Sequence, residues 1–510
     1  MSRLIRLENA VNTLFEKLGE KLDDQGRTDS TQPSRSETQN PFTSVEHPCE
    51  ETSAPVFAIR DLATEVTSKP AHERISHGYE EHAGDVKVFP EDLLSEQECE
   101  GLISIFRQHY GRWLRWEEQG SQSAESDIMK SPLLLCACYL IAVRHTTEEA
   151  ANRIAPKLFE CAKEYLATAV LNAPQPIEFF QASLILSMWS TTVGGKPYSI
   201  DSWLLTGFAL QHTQSCNLFN HILNRNTFTT YSRSDLDLWC IWNHLCLVHL
   251  HYCVGTRRKA MLGSHEIRRC KDVLKFDDAS NFETRMTAEI ELYWTIYENC
   301  LGSIVDLPKA QAALHAWKRE WDYVLKQPRS QFLEMGFHFA QLLAYERSLK
   351  SRSARVREAL LSEMVRLCAK IMQVAMDTAD ERTRHLSDHI YHMITFAAVT
   401  LSRLLSLYEG QLKGSHNVDE LDSLIWKLAQ WLDSIGLPCH AAHTLGDIVS
   451  GVQSKLRPHT VAQPEVLTDF SDWPNEDFST LPDLLDAQIS PGGHWNFLPD
   501  WEPFYQGPLT

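Results

Sequence analysis

Apolar positions recur along most of this chain at helical spacing. At the start, Leu4, Leu7, Val11, Leu14 and Leu18 follow a 3-4-3-4 rhythm. That is the seam of a short coiled coil over residues 1–22. It reads either as a dimerising zipper or as one amphipathic helix packed on its own protein, because two heptads are marginal alone. Residues 23–84 lose the periodicity. Ser, Thr, Pro, Glu and Gln dominate there, which predicts a disordered linker.

From residue 85 to 457 helical periodicity returns. Ser95 with Glu98 forms a Ser-x-x-Glu capping box, and Leu102, Ile105, Phe106 and Tyr110 follow at helical spacing. Ser131-Pro132 opens a second helix that runs through the apolar stretch to Val143. Further helices are predicted near 147–171, 175–190, 199–216, 233–254, 283–304, 330–350, 354–378, 384–410 and 418–435. β-Branched alternation is scarce and no fixed-period repeat is evident. The fold expected is therefore all-α: a globular multi-helix array, with a short N-terminal coiled coil and a disordered linker and tail.

Residues 458–510 contain no Lys or Arg. Carboxylates alternate with apolar groups, among them Phe470, Trp473, Phe478, Leu484, Leu485, Trp495 and Trp501. Packing those apolar groups together would force like charges together, so they stay solvated until a partner groove receives them. The segment reads as an acidic activation tail that would contact coactivators. Its competitor is a tail folded back on the helical region.

Composition narrows the function. The formal net charge of −19 opposes nonspecific contact with phosphate backbones. The main basic cluster is Arg257, Arg258 and Lys259, read as a helix end or as a weak nuclear-localisation signal. No stretch of about 18 apolar residues occurs, so no membrane span is expected. The 13 cysteines are scattered, with no Cys-x-x-Cys pair, so neither a disulfide framework nor a structural zinc site is expected.

Searches for chemistry return little. There is no Gly-x-Gly-x-x-Gly, Walker-type loop, Gly-x-Ser-x-Gly elbow or His-Glu-x-x-His. The double aspartates Asp23-Asp24 and Asp277-Asp278 read as surface turns. His244, His249 and His251 lie close in one predicted helix. His385, His389 and His392 would share a helical face and could ligate a metal, although hydrogen-bonded core-edge histidines fit better. Catalysis, a cofactor and a metal are therefore not expected.

Two stretches resemble a known family. The first runs Ser131-Pro-Leu-Leu-Leu-Cys-Ala-Cys-Tyr-Leu-Ile-Ala-Val-Arg144, then Phe159-Glu-Cys-Ala-Lys-Glu-Tyr-Leu166, Ile177-Glu-Phe-Phe-Gln-Ala-Ser-Leu-Ile-Leu-Ser-Met-Trp189 and Asp201-Ser-Trp-Leu-Leu-Thr-Gly-Phe-Ala-Leu-Gln211. The second is Asp237-Leu-Trp-Cys-Ile-Trp-Asn-His-Leu-Cys-Leu-Val-His-Leu-His-Tyr-Cys-Val-Gly-Thr-Arg257. Their order is similar to the regulatory middle homology region of fungal zinc-cluster transcription factors. The sequence departs from the family at Trp239 and Trp242, which replace a tandem Trp, and at Gly255-Thr256-Arg257, which stands for Gly-Arg-Pro.

The resemblance implies a nuclear transcriptional regulator. It implies homodimers, or heterodimers with a related zinc-cluster factor, formed through the coil. In the family a six-cysteine DNA-reading module precedes that coil, and here the coil begins the sequence. The chain alone is expected not to read DNA. It is then either a regulator without its own module or a truncated reading frame of a full factor. The alternative is a helical ligand-sensing or scaffold protein, with Trp189, Trp203, Trp239 and Trp242 either lining a pocket or filling the core.

Overall fold

Helix caps set the first elements. The computed structural model describes residues 93–114, 131–189, 200–223, 232–302, 305–349, 354–437 and 440–460. The Ser95 hydroxyl accepts from the Glu98 N–H at 3.4 Å, and the Glu98 carboxylate accepts from the Ser95 N–H at 2.8 Å. This box opens α1 (Glu96–Tyr110). Ser131 caps α2 (Pro132–Val143), with Pro132 in the first turn as expected. Every residue of α2 from Leu133 to Val143 is buried, as an apolar face all round requires.

The array continues with α3 (Glu148–Val170), α4 (Ile177–Met188), α5 (Ser202–Ser215), α6 (Asn217–Leu223) and α7 (Arg233–Thr256). Next come α8 (Ser264–Arg269), α9 (Asn281–Cys300), α10 (Leu307–Glu320), α11 (Asp322–Leu325) and α12 (Gln331–Leu349). It closes with α13 (Ala354–Asp377), α14 (Asp388–Leu412), α15 (Val418–Asp433) and α16 (Ala441–Leu456). Among the described residues, every regular element is helical, so the expected all-α array is the one found.

Helices α6, α8, α10, α11 and α16 have no counterpart in the ranges read from sequence. Helix α14 begins at Asp388 rather than near 384, because the chain makes a short 3-10 turn, Thr383–His385, before it.

Successive helices pack on one another. Helix α2 contacts α1, α3 and α4, and α7 lies against α4, α5 and α9. Helix α13 packs between α12 and α14, and α14 also contacts α15 and α16. Helix α7 is central, with 20 of its 24 residues buried. Helix α14 is long and apolar enough to cross a membrane by length and composition, yet 78% of its apolar window is buried inside the fold. It is the core helix of the C-terminal half.

The end of α16 is pinned by Arg457, of which 2% is exposed. Its Nε and Nη2 donate to the Asp422 carboxylate on α15 at 2.8 and 2.7 Å. Its Nη1 donates to the Leu405 carbonyl on α14 at 3.3 Å and to Glu409 Oε2 at 3.1 Å. One side chain thus ties three helices together.

Other expectations resolve simply. Cys136 and Cys138 are fully buried fillers, and among the described residues no cysteine forms a disulfide. Asp277 and Asp278 sit exposed in a turn. Arg257, Arg258 and Lys259 mark a helix end, where Arg257 takes a left-handed φ of 53° and Arg258 pairs with Asp201 at 2.6 Å. The coiled-coil positions Leu4, Leu7, Val11, Leu14 and Leu18 lie outside the described residues, as do Asp23-Asp24 and the tail positions Phe470, Trp473, Phe478, Leu484, Leu485, Trp495 and Trp501.

Candidate functional site, a buried histidine and aromatic seam

The Arg144 guanidinium, at the end of α2, is 1% exposed. It meets Asp388, the first residue of α14, through Nη1–Oδ1 at 2.9 Å and Nη2–Oδ2 at 3.1 Å. Nη2 also donates to the Trp189 carbonyl at 3.4 Å, and the Trp189 indole N–H donates to the Leu386 carbonyl at 3.0 Å. Burial works against the charge on Arg144. The Asp388 carboxylate overrides it and holds the guanidinium protonated more firmly than usual. The pair needs this geometry, since two desolvated charges stabilise only when they satisfy one another.

Histidines surround the pair. The Tyr110 hydroxyl lies 2.5 Å from His145 Nε2 and 3.0 Å from His385 Nδ1, so it can donate to one ring while accepting from the other. His385 stacks on His109 with ring centres 3.9 Å apart and lies 4.4 Å from the His145 ring. His440 Nδ1 accepts the Ala442 N–H at 3.1 Å, so its Nε2–H donates to the Arg384 carbonyl at 2.8 Å. Burial, reinforced by His385, His440 and Arg144, pushes His145 down to about 2, and burial with Arg144 pushes His440 down to about 4. Burial and His109 push His385 down to about 3. These rings are neutral at physiological pH.

Aromatic rings carry the seam onward. Tyr110 meets Trp189 edge-on at 4.9 Å, Trp189 meets Trp113 at 5.8 Å, and Trp113 meets His244 at 5.1 Å. His251 Nε2 lies 3.1 Å from Glu289 Oε1 on α9. His251 also stacks on His389 at 3.8 Å, and His389 shares a short hydrogen bond with the Tyr293 hydroxyl. Burial pushes the Glu289 carboxyl up to about 7 and His251 down to about 3. Glu289 nevertheless keeps 28% of its side-chain surface accessible.

Several sequence expectations change here. His385, His389 and His392 do not share one helical face, because His385 precedes α14 in the 3-10 turn. His385 joins Tyr110, while His389 joins His251 and Tyr293. His249 is a satisfied core histidine, with Nδ1 3.0 Å from Thr206 Oγ1 and Nε2 accepting the Met261 N–H at 3.1 Å. The four tryptophans occupy three different surroundings. Trp189 belongs to the seam, Trp203 lies under Arg258, and Trp239 packs edge-on against Trp242 at 5.4 Å.

Sequence reading missed His145, His440, Glu289 and Tyr293. Glu289 left a signal: it interrupts the apolar stripe of α9 between Met286 and Tyr293.

The profile of a family described as the middle domain of the transcriptional activator of proteases prtT matches residues 92–456. The chain belongs to this family of fungal transcriptional regulators. It is similar to a transcriptional regulatory protein of Schizosaccharomyces pombe, 28% identical over 388 residues that cover 73% of this chain and 71% of that one. It is also similar to the transcriptional activator of proteases prtT of Aspergillus clavatus, 25% identical over 408 residues, 76% of this chain and 62% of the relative. The protein of that name from Penicillium rubens is 25% identical over 354 residues, 68% of this chain and 52% of the relative. Against these two activators the chain therefore spans 52–62% of their length. No solved structure matches it. Every residue of the seam, from His109 to His440, falls inside the part matched as the prtT-type middle domain.

Proposed function

We propose that this chain works in the nucleus as a regulator of transcription through protein contacts. It dimerises through residues 1–22, with itself or with a zinc-cluster relative, and presents residues 458–510 to coactivators. The observation that carries this reading is the family match over 92–456, flanked in sequence by the heptad-spaced Leu4, Leu7, Val11, Leu14 and Leu18 on one side and by acidic, aromatic residues on the other. With a net charge of −19 and no Cys-x-x-Cys pair in its sequence, the chain alone reads no DNA sequence. Its role is contact, not catalysis. Relatives named as activators of proteases make protease genes the first targets to examine. The tail is tested by fusing residues 458–510 to an unrelated DNA-binding domain. Reporter activation is expected, and a silent reporter would sink the activation role.

The seam favours a second, compatible reading, in which the helical array senses a small molecule. Buried neutral imidazoles and the Glu289 carboxyl, pushed up to about 7 by burial, cost stability, and such costs collect at functional sites. Metabolites screened by thermal shift should include one that stabilises the wild type and not Glu289→Leu. A screen without any stabilising compound would argue against sensing.

A further inference from the structure

The hairpin of α15 and α16 carries a group of side chains that the seam does not use. Asp433 ends α15, and His443 and Asp447 stand one turn apart on α16. His443 Nδ1 lies 3.9 Å from Asp433 Oδ1 and 3.8 Å from Asp447 Oδ2. One donor atom from each residue falls within 4.8 Å of the other two. These gaps are too long for hydrogen bonds. They are slightly wider than the spacing of donors that share an ion through bonds of about 2.0–2.2 Å.

The Asp433 carboxylate is costly where it stands. Its Oδ1 is buried and has no hydrogen-bond donor, although the side chain as a whole keeps 39% of its surface accessible, and an unpaired buried carboxylate oxygen is a state that folded proteins resolve with a water or an ion. It sits at a helix C-terminus, where the partial charge of the carbonyls opposes an anion. The nearby Asp447 adds a second negative charge. The chain also makes room for it: a Cβ on Gly446 would run into Asp433 Oδ1 and stand 3.0 Å from the carboxyl carbon. Glycine at that position, between the two α16 donors, lets the carboxylate reach the helix.

We propose that Asp433, His443 and Asp447 bind a divalent cation of the zinc class and so clamp α15 to α16. One imidazole with two carboxylates is a zinc donor set that leaves a fourth position to water. Donors at i and i+4 project from one side of α16, and the third comes from the facing helix, so the ion cross-links the pair. His443 is 28% exposed and Asp447 59% exposed. Both can turn by the small distance that closure needs. The proposed donors are residues other than His385, His389 and His392, the set that the sequence offered.

The test uses the metal-stripped full chain. Zinc titrated by calorimetry should bind with one saturable equivalent and raise Tm. Asp447→Asn, an exposed change that spares the packing, and His443→Gln should each weaken that equivalent at least tenfold. Cobalt in place of zinc should give visible d–d absorption, lost in the same variants. Three results would overturn the site: no saturable zinc binding, binding unchanged in both variants, or binding of magnesium in preference to zinc.

Discussion

Arg144 and Asp388 stand 244 positions apart in sequence and share two hydrogen bonds, with 1% of either side chain accessible. The contact joins the last turn of α2 to the first residue of α14, so it fixes the N-terminal half of the array on the C-terminal half. Leaving one partner buried and alone costs about 3–5 kcal/mol. Asp388→Leu or Arg144→Met should lower the unfolding free energy by about that much in urea titrations. The double variant should recover most of it, because both charges are then gone. A single variant within 1 kcal/mol of wild type would show that the pair pins nothing.

The neutral histidines set the acid side of the stability curve. His145, His385 and His440 titrate near 6.5 when unfolded and are pushed down to about 2, 3 and 4 in the fold. Below pH 6.5 the unfolded chain binds more protons than the folded one. The stability tied to these rings is therefore whole above pH 6.5 and falls as pH drops, by up to about 1.4 kcal/mol per unit for each ring. Unfolding free energy measured at pH 5.5 should be several kcal/mol below its value at pH 7.5. His145→Gln should flatten that slope, and a flat wild-type profile would contradict the buried neutral state.

Glu289 has the opposite sign. Its carboxyl is pushed up from 4.5 to about 7, so between those values the folded state binds the extra proton. Stability tied to it is present below pH 4.5 and declines as pH rises through 7. Glu289→Gln should therefore stabilise the protein at pH 8, by about 1–3 kcal/mol. It should change little at pH 4.5. A variant less stable than wild type at pH 8 would mean that the carboxylate is needed in its charged form.

Arg457 supplies a fourth expectation. A chain ending at residue 456 leaves the Asp422 carboxylate, 4% exposed, without its guanidinium. Residues 85–456 should be less stable than residues 85–460 by about 3–5 kcal/mol. Equal melting temperatures for the two would remove Arg457 from its role as the tie between α14, α15 and α16.

Sequence reading found what depends on local rules. The capping box at Ser95 and Glu98 and the start of α2 at Ser131-Pro132 follow from residues three or four apart. Gly207 in the Trp203-x-x-x-Gly207-x-Ala209 pattern also has a cause: a Cβ there would stand 2.9 Å from Met261 Sδ, so the glycine admits that side chain. The rest was hidden because it is made by tertiary contact. Neither Arg144 with Asp388 nor His251 with Glu289 and His389 follows any helical period. The share-a-face argument for His385 failed because a 3-10 turn intervened before α14. Asp433, His443 and Asp447 could be seen as a group only after α15 had folded against α16.

The regulatory claim is tested most directly by tethering the whole chain, residues 1–510, to an unrelated DNA-binding domain upstream of a reporter. The account predicts transcription above that of the DNA-binding domain alone. It also predicts that the combined changes Phe470→Ala, Trp473→Ala, Leu484→Ala and Leu485→Ala remove the increase at equal protein abundance. A reporter that stays at the level of the DNA-binding domain alone, with the fusion folded and nuclear, would contradict it.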